Sequence, residues 1–229
     1  MRVGKRRLMV VGASRGIGAA VAQHFAQQGH TVFSVSRGQP VAGEWIPADI
    51  STPDGINAIT QRMGESALDA LLFMGGVWEQ GAFTKDYDFF KSPDAETRFV
   101  IAVNTIAPIE ITKQLAPNLA KAHNPRAIFM GSTSGLENTT SVEVANTASK
   151  FGLRGATQSL RLALRDEKIG ITVINPGNVA TAEVLTDIAE QRFQPQIPIS
   201  LQDVISTLEW ILSLSNTVDV SEVNLWQKQ

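Results

Sequence analysis

Gly12, Gly16 and Gly18, in the run Gly12-Ala-Ser-Arg-Gly-Ile-Gly18, have the residue types and spacing of a loop that holds phosphate. The apolar run Leu8-Met-Val-Val11 precedes them and a helical pattern follows. Between a strand and a helix, glycines permit a tight turn and a close approach of backbone to a dinucleotide pyrophosphate. Free N–H groups and the positive end of the helix then face the anion. The spacing is GxxxGxG rather than the commoner GxGxxG, with Ser14, Arg15 and Ile17 between the glycines. The second strand ends in Ser36-Arg37, without the acid that NAD sites use for the ribose 2′-hydroxyl. Arg15 and Arg37, two guanidiniums with no competing carboxylate in view, suit a 2′-phosphate. These residues predict NADP(H) in preference to NAD(H).

Other chemistries find less support. The chain has no cysteine, which excludes disulfides, thiolate catalysis and cysteine metal sites. His24, His30 and His123 are scattered without ligand spacing, so no metal is expected. Gly131-Ser-Thr-Ser-Gly135 places Thr133 where a nucleophile elbow needs serine. A net charge of −2 argues against a nucleic-acid or anionic-membrane partner. The start, Met1 to Arg7, is basic like a signal-peptide n-region, but Leu8–Val11 is too short for an h-region. A soluble, cytoplasmic protein is expected.

The elements that must position the loop are legible from periodicity. Strands are predicted at 8–11, 31–35, 68–74, 127–130, 171–174 and 223–226, with helical patterns between them. Ile17, Val21 and Phe25 form one helix face, which ends before Gly29, and Ile56, Ile59 and Met63 form another after Pro53. Residues 95–119 read as a helical stretch interrupted by Pro108 and Pro117, 145–165 as a helix, and 201–214 as the last helix. The alternation predicts an α/β fold of the Rossmann type, a doubly wound parallel sheet with helices on both faces, in one domain over 1–229. Two stretches lack regular pattern, Trp78–Pro93 and Asn178–Ser200. Both follow strands and should overhang the carboxyl edge, where open α/β sheets bind ligands.

With these residues in view, the chain resembles the short-chain dehydrogenases/reductases along nearly its whole length. The Gly12–Gly18 loop matches that family's cofactor loop. The resemblance implies that Asp49-Ile50, after a third strand, contacts the adenine, and that Gly75 lies by the cofactor. It implies that Pro176-Gly177, Val179 and Thr181 clasp the nicotinamide amide. It also implies that Asn104 holds a relay water, that Ser132 is the catalytic serine, and that Lys150 is the catalytic lysine and a cofactor ligand. Two departures stand out. Phe73-Met-Gly-Gly76 replaces Asn-Asn-Ala-Gly, and the YxxxK motif reads Asn146-Thr-Ala-Ser-Lys150. The chain's one tyrosine is Tyr87.

A phenol at that position would neutralise the alkoxide formed by hydride delivery. An amide donates a hydrogen bond but gives up no proton. Asn146 is therefore expected to polarise the substrate oxygen while a water, linked through Lys150 or Ser132, supplies the proton. The resulting expectation is an NADP(H)-dependent oxidoreductase of an alcohol/carbonyl pair, assembled as a homodimer or homotetramer. An NADP(H)-binding protein without turnover and a reductase of activated alkenes or imines are the alternatives. Trp78, Phe83, Tyr87, Phe89 and Phe90 are expected to form an aromatic loop near the mouth of the site.

Overall fold

Leu8, Met9, Val10 and Val11 are all excluded from solvent, which is why the first strand reads as an uninterrupted apolar run. Met9 and Val11 point into one hydrophobic core and Leu8 and Val10 into another, one on each side of a sheet. The computed structural model describes residues 4–139, 141–193 and 195–228.

Seven strands form one sheet: β1 Arg7–Val11, β2 Thr31–Ser36, β3 Glu44–Pro47, β4 Ala70–Phe73, β5 Arg126–Met130, β6 Gly170–Pro176 and β7 Glu222–Leu225. Their order is β3-β2-β1-β4-β5-β6-β7, and every neighbouring pair is parallel. The helices are α1 Gly16–Gln27, α2 Pro53–Met63, α3 Asp94–Ile101, α4 Ala107–Leu119, α5 Val144–Ala163, α6 Ala182–Ala189 and α7 Leu201–Ser213. One face of the sheet packs on α2, α4 and α5 through Ile59, Leu115 and Leu153. The other packs on α1 and α7 through Phe25 and Leu208. Each fully buried aliphatic or aromatic side chain contributes about 1.5–3 kcal/mol relative to exposure. The chain runs outward from β1 to β3 and then returns to β4 beside β1. A crevice opens at the carboxyl ends of β1 and β4, where that reversal occurs.

The long helical stretch is not interrupted at its prolines. A π turn, Ala102–Ile106, joins α3 to α4, Pro108 falls in the first turn of α4, and Pro117 lies inside that helix. The stretch Trp78–Pro93 forms turns, as its composition predicts. The second stretch expected to be irregular, Asn178–Ser200, instead contains α6. None of the residues of α6 is fully buried, and its inner face, Val184, Asp187 and Ile188, is only half-buried, so the helix adds no residue to either core. Its start is fixed by Thr181, whose Oγ1 accepts the N–H of Val184 at 3.4 Å.

Candidate active site

A cleft of about 280 Å³ runs along the carboxyl edge of the sheet, from the glycine loop to the first turns of α5. At its cofactor end the glycines have separate duties. Gly12 has φ +87°, and a Cβ there would lie 2.5 Å from the Cα of Gly75. Gly16 has φ +55°. A Cβ on Gly18 would lie 2.1 Å from the carbonyl oxygen of Gly12. The loop is therefore pressed against both β4's exit and its own helix, a packing that no side chain larger than hydrogen permits. Arg15 stands at the N-cap of α1 without a side-chain cap bond. The first amides of α1 are thus left for an anion, and Gly16 and Ile17 open onto the cleft. This cradle fits a dinucleotide pyrophosphate.

Asp49 is held by Ser51, two residues on: its Oδ1 accepts the N–H of Ser51 at 3.0 Å and the Ser51 hydroxyl at 2.7 Å. Those hydrogen bonds, with a smaller contribution from Arg37, keep the Asp49 carboxyl below its ordinary range. Ser36 donates its hydroxyl to the carbonyl of Gly38 at 2.7 Å. Arg37 makes no ion pair among the described residues. Arg15 does: its guanidinium pairs with Glu183 on α6. The expectation that both arginines stand clear of carboxylates is thus corrected. Glu183 is 168 residues away from Arg15 in sequence, and only folding brings them together.

At the other end, the 3₁₀ turn Thr133–Gly135 follows Ser132. The Oγ of Ser132 accepts the N–H of Ser134 at 3.1 Å, which ties both serines into one turn. A Cβ on Gly135 would lie 2.9 Å from the backbone of Lys150, so this turn sits directly on α5. Lys150 donates to the carbonyl of Met130 at 3.3 Å. Burial of its ammonium pushes the pKa down to about 8, because a low-dielectric site disfavours the charged form. Asn146 is one helical turn earlier, nearly buried, and its side chain borders the cleft.

Asn104 is not among the residues that border the cleft. In the π turn, its amide faces inward: Nδ2 donates to the carbonyl of Val77 at 2.7 Å and to Ser149 Oγ at 2.9 Å. Its Oδ1 accepts the N–H of Val77 at 2.9 Å. It fastens the segment after β4 to α5 from behind the cleft wall. Apart from Asn104 and the packing glycine Gly18, every expected site residue borders the cleft, Pro176, Gly177, Val179 and Thr181 included.

Of the aromatic loop, Trp78 and Phe83 line the cleft. They meet edge to face with centroids 6.1 Å apart, and Phe83 meets Phe193 at 6.5 Å. Phe89 and Phe90 face solvent. The phenol of Tyr87 accepts the N–H of Val144 at 3.4 Å, outside the cleft. Two of the three histidines have structural partners: His24 pairs with Glu209, and His30 Nδ1 accepts the N–H of Arg6. No three metal-ligating side chains cluster among the described residues.

Sequence reasoning missed two acids. Glu183 is one. The other is Glu79, a buried carboxylate that accepts the N–H groups of Ala145 at 2.7 Å and Asn146 at 3.2 Å. A signal for it existed: α5 starts at Glu143-Val144 without a side-chain cap, so its orphan amides must find an acceptor elsewhere.

The family described as short chain dehydrogenase matches residues 6–192. The chain belongs to the short-chain dehydrogenases. Relatives of this short-chain dehydrogenase include the rhamnolipids biosynthesis 3-oxoacyl-[acyl-carrier-protein] reductase of Pseudomonas aeruginosa, 31% identical over 191 residues, covering 75% of this chain and 72% of that protein. The ketoacyl reductase HetN of a Nostoc species is 26% identical over 197 residues, covering 80% of this chain and 66% of the relative, about two thirds of its length. Among solved structures, a short-chain dehydrogenase from Shigella flexneri complexed with NADP superposes with a TM-score of 0.81 at 22% identity, covering 97% of each chain. That likeness shows the fold. Membership in this oxidoreductase family, together with the cleft, makes Ser132, Asn146 and Lys150 the centre of interest in this dehydrogenase. No helix among the described residues is long and apolar enough to cross a membrane.

Proposed function

We propose that this chain is an NADP(H)-dependent oxidoreductase of an alcohol/carbonyl pair in which water, rather than a phenol, delivers the proton to the substrate oxygen. One observation carries this reading: a single cleft joins the glycine loop and its two arginines to Ser132, Asn146 and Lys150. When bound, the nicotinamide dinucleotide gives or takes the hydride.

The chain's own residues do the rest. The first amides of α1 bind the pyrophosphate, and Arg15 and Arg37 receive the 2′-phosphate, as guanidinium geometry favours. Pro176, Gly177, Val179 and Thr181 hold the nicotinamide end. Ser132 Oγ and the Asn146 amide donate hydrogen bonds to the substrate oxygen, stabilising negative charge as it develops. Carbonyl reduction adds a hydride to carbon and a proton to oxygen. The asparagine amide has no proton to release at physiological pH, so a water in contact with Lys150 or Ser132 gives the proton. Lys150, with a pKa near 8, replenishes it. Asn104, its side-chain amide fixed by Val77 and Ser149, holds the relay water. Loss of a positioned acid costs about 10²–10⁴-fold, which leaves slow turnover.

The second reading is an NADP(H)-holding protein without turnover. Tyr87 favours it, since the chain's one phenol lies outside the cleft and cannot stand in for the missing acid. The substrate of the first reading is a small molecule, and the protein works in the cytoplasm as a homodimer or homotetramer.

Direct titration with NADPH and NADH, followed by anaerobic incubation with carbonyls, enones and imines, tests both. NADPH should bind at least about tenfold more tightly, since a charge-assisted pair contributes ~1.5–3 kcal/mol, and Arg37→Ala should narrow the gap. Equal affinities end the cofactor assignment. Tight NADPH binding with no NADPH consumption by any carbonyl favours the second reading.

A further inference from the structure

The first turn of α6 rests on the cofactor loop at two points. A Cβ on Gly16 would lie 3.6 Å from Cγ2 of Thr181, and Glu183 pairs with Arg15. Glu183 borders both the cleft and a neighbouring hollow lined by Arg15, Arg37, Asp187 and Arg192. The other charges there are largely matched: Arg192 pairs with Asp187 at 3.1 Å and also with Glu190. Asp49 is bonded to Ser51. Glu183 is therefore the carboxylate that shares an arginine with any anion arriving at the Arg15–Arg37 end of the cleft.

A 2′-phosphate carries close to two negative charges at neutral pH and three acceptor oxygens. It cannot take Arg15 while Glu183 holds the same guanidinium without like-charge repulsion. A ribose 2′-hydroxyl meets no such conflict, because it can donate to a carboxylate. We propose that Glu183 is a cofactor-selecting residue, whose carboxylate competes with the 2′-phosphate for Arg15 and so lowers the NADPH/NADH preference below what the two arginines alone would set. Binding of the phosphorylated nucleotide must break the Arg15–Glu183 pair and with it one of the two points at which α6 rests on the loop. This inference rests on the cofactor reading above.

The test is binding, not turnover. Adenosine 2′,5′-bisphosphate and adenosine 5′-diphosphate are titrated calorimetrically into the parent protein, Glu183→Gln, Arg15→Ala and the double variant. Glu183→Gln should tighten the 2′-phosphorylated probe by up to about fivefold, the range of an exposed ion pair, and leave the diphosphate within about twofold. In the Arg15→Ala background the same substitution should do nothing. If the parent prefers the 2′-phosphate and Glu183→Gln leaves that preference unchanged, the inference is overturned while the cofactor reading stands. Equal weakening of both probes also overturns it, because Glu183 would then merely hold α6 in place. A parent without preference that gains one in Glu183→Gln supports the inference and corrects the cofactor reading. No preference in any variant overturns both.

Discussion

The carboxylate of Glu79 accepts the backbone N–H of Asn146 at 3.2 Å, and that of Ala145 at 2.7 Å. An acid from the segment after β4 therefore caps the helix that presents Asn146 and Lys150 to the cleft. Because α5 has no side-chain cap of its own, Glu79→Ala should destabilise the protein by about 1.5–3 kcal/mol, the range for hydrogen bonds to a charged group. Urea titration measures the loss. Hydrogen exchange localises it: the amides of residues 145 and 146 should lose protection before those of β4 and β5. Unchanged exchange there would show that Glu79 does not govern the first turn.

Lys150 links the site to stability through pH. Its pKa falls from 10.5 in the unfolded chain to about 8 in the folded one. Below pH 8 both states hold the proton and the folded state bears the full desolvation cost. Between pH 8 and 10.5 the unfolded state binds more protons, so stability rises with pH. Above 10.5 the cost is gone. Lys150→Met should therefore raise stability at pH 7 by up to about 3 kcal/mol, an advantage that fades as pH climbs from 8 to 10.5. Denaturation curves for both proteins at pH 7 and pH 10 decide it, and a pH-independent difference would contradict the buried ammonium.

Restoring a phenol is the sharpest test of the chemistry. Asn146→Tyr should create or raise NADPH-dependent carbonyl reduction, recovering part of the ~10²–10⁴-fold that acid catalysis provides. Lys150→Ala should abolish that gain and much of the cofactor binding. If Asn146→Tyr folds, binds NADPH and lowers an activity of the parent, the asparagine belongs to a different mechanism.

Assembly is predicted from the outer faces of α4 and α5. Leu162 is 70% exposed, and Ile109 is also exposed. Leu153 faces the core, with Leu160 and Leu164 packed against it, so Leu162 extends the apolar series beyond what the core uses. Sedimentation should report a dimer or tetramer at micromolar concentration. Leu162→Glu should shift it toward the monomer, because a charge in such an interface meets no partner. A single 24.7 kDa species in the parent would refute the expectation.

The alternation of buried strands and amphipathic helices and the glycine loop between β1 and α1 were legible in the sequence. Each depends on local spacing or on a motif whose residues lie close along the chain. Gly12 and Gly18 read as necessary because glycine tolerates close backbone approaches that other residues do not. What the sequence alone left open depends on contacts between distant segments. Asn104 sits in an easily recognised motif, but the partners of its side-chain amide, Val77 and Ser149, are set by the fold. The helix α6 is short and adds no residue to either core, and its Glu183 changes the electrostatics at Arg15 from the far end of the chain. Glu79 is an acid in an irregular stretch until the fold sets it beneath α5. Periodicity records which face of an element is buried; it carries no record of which distant side chain will meet that element's end. That meeting is fixed only when the sheet order sets β1, β4 and β6 along one edge.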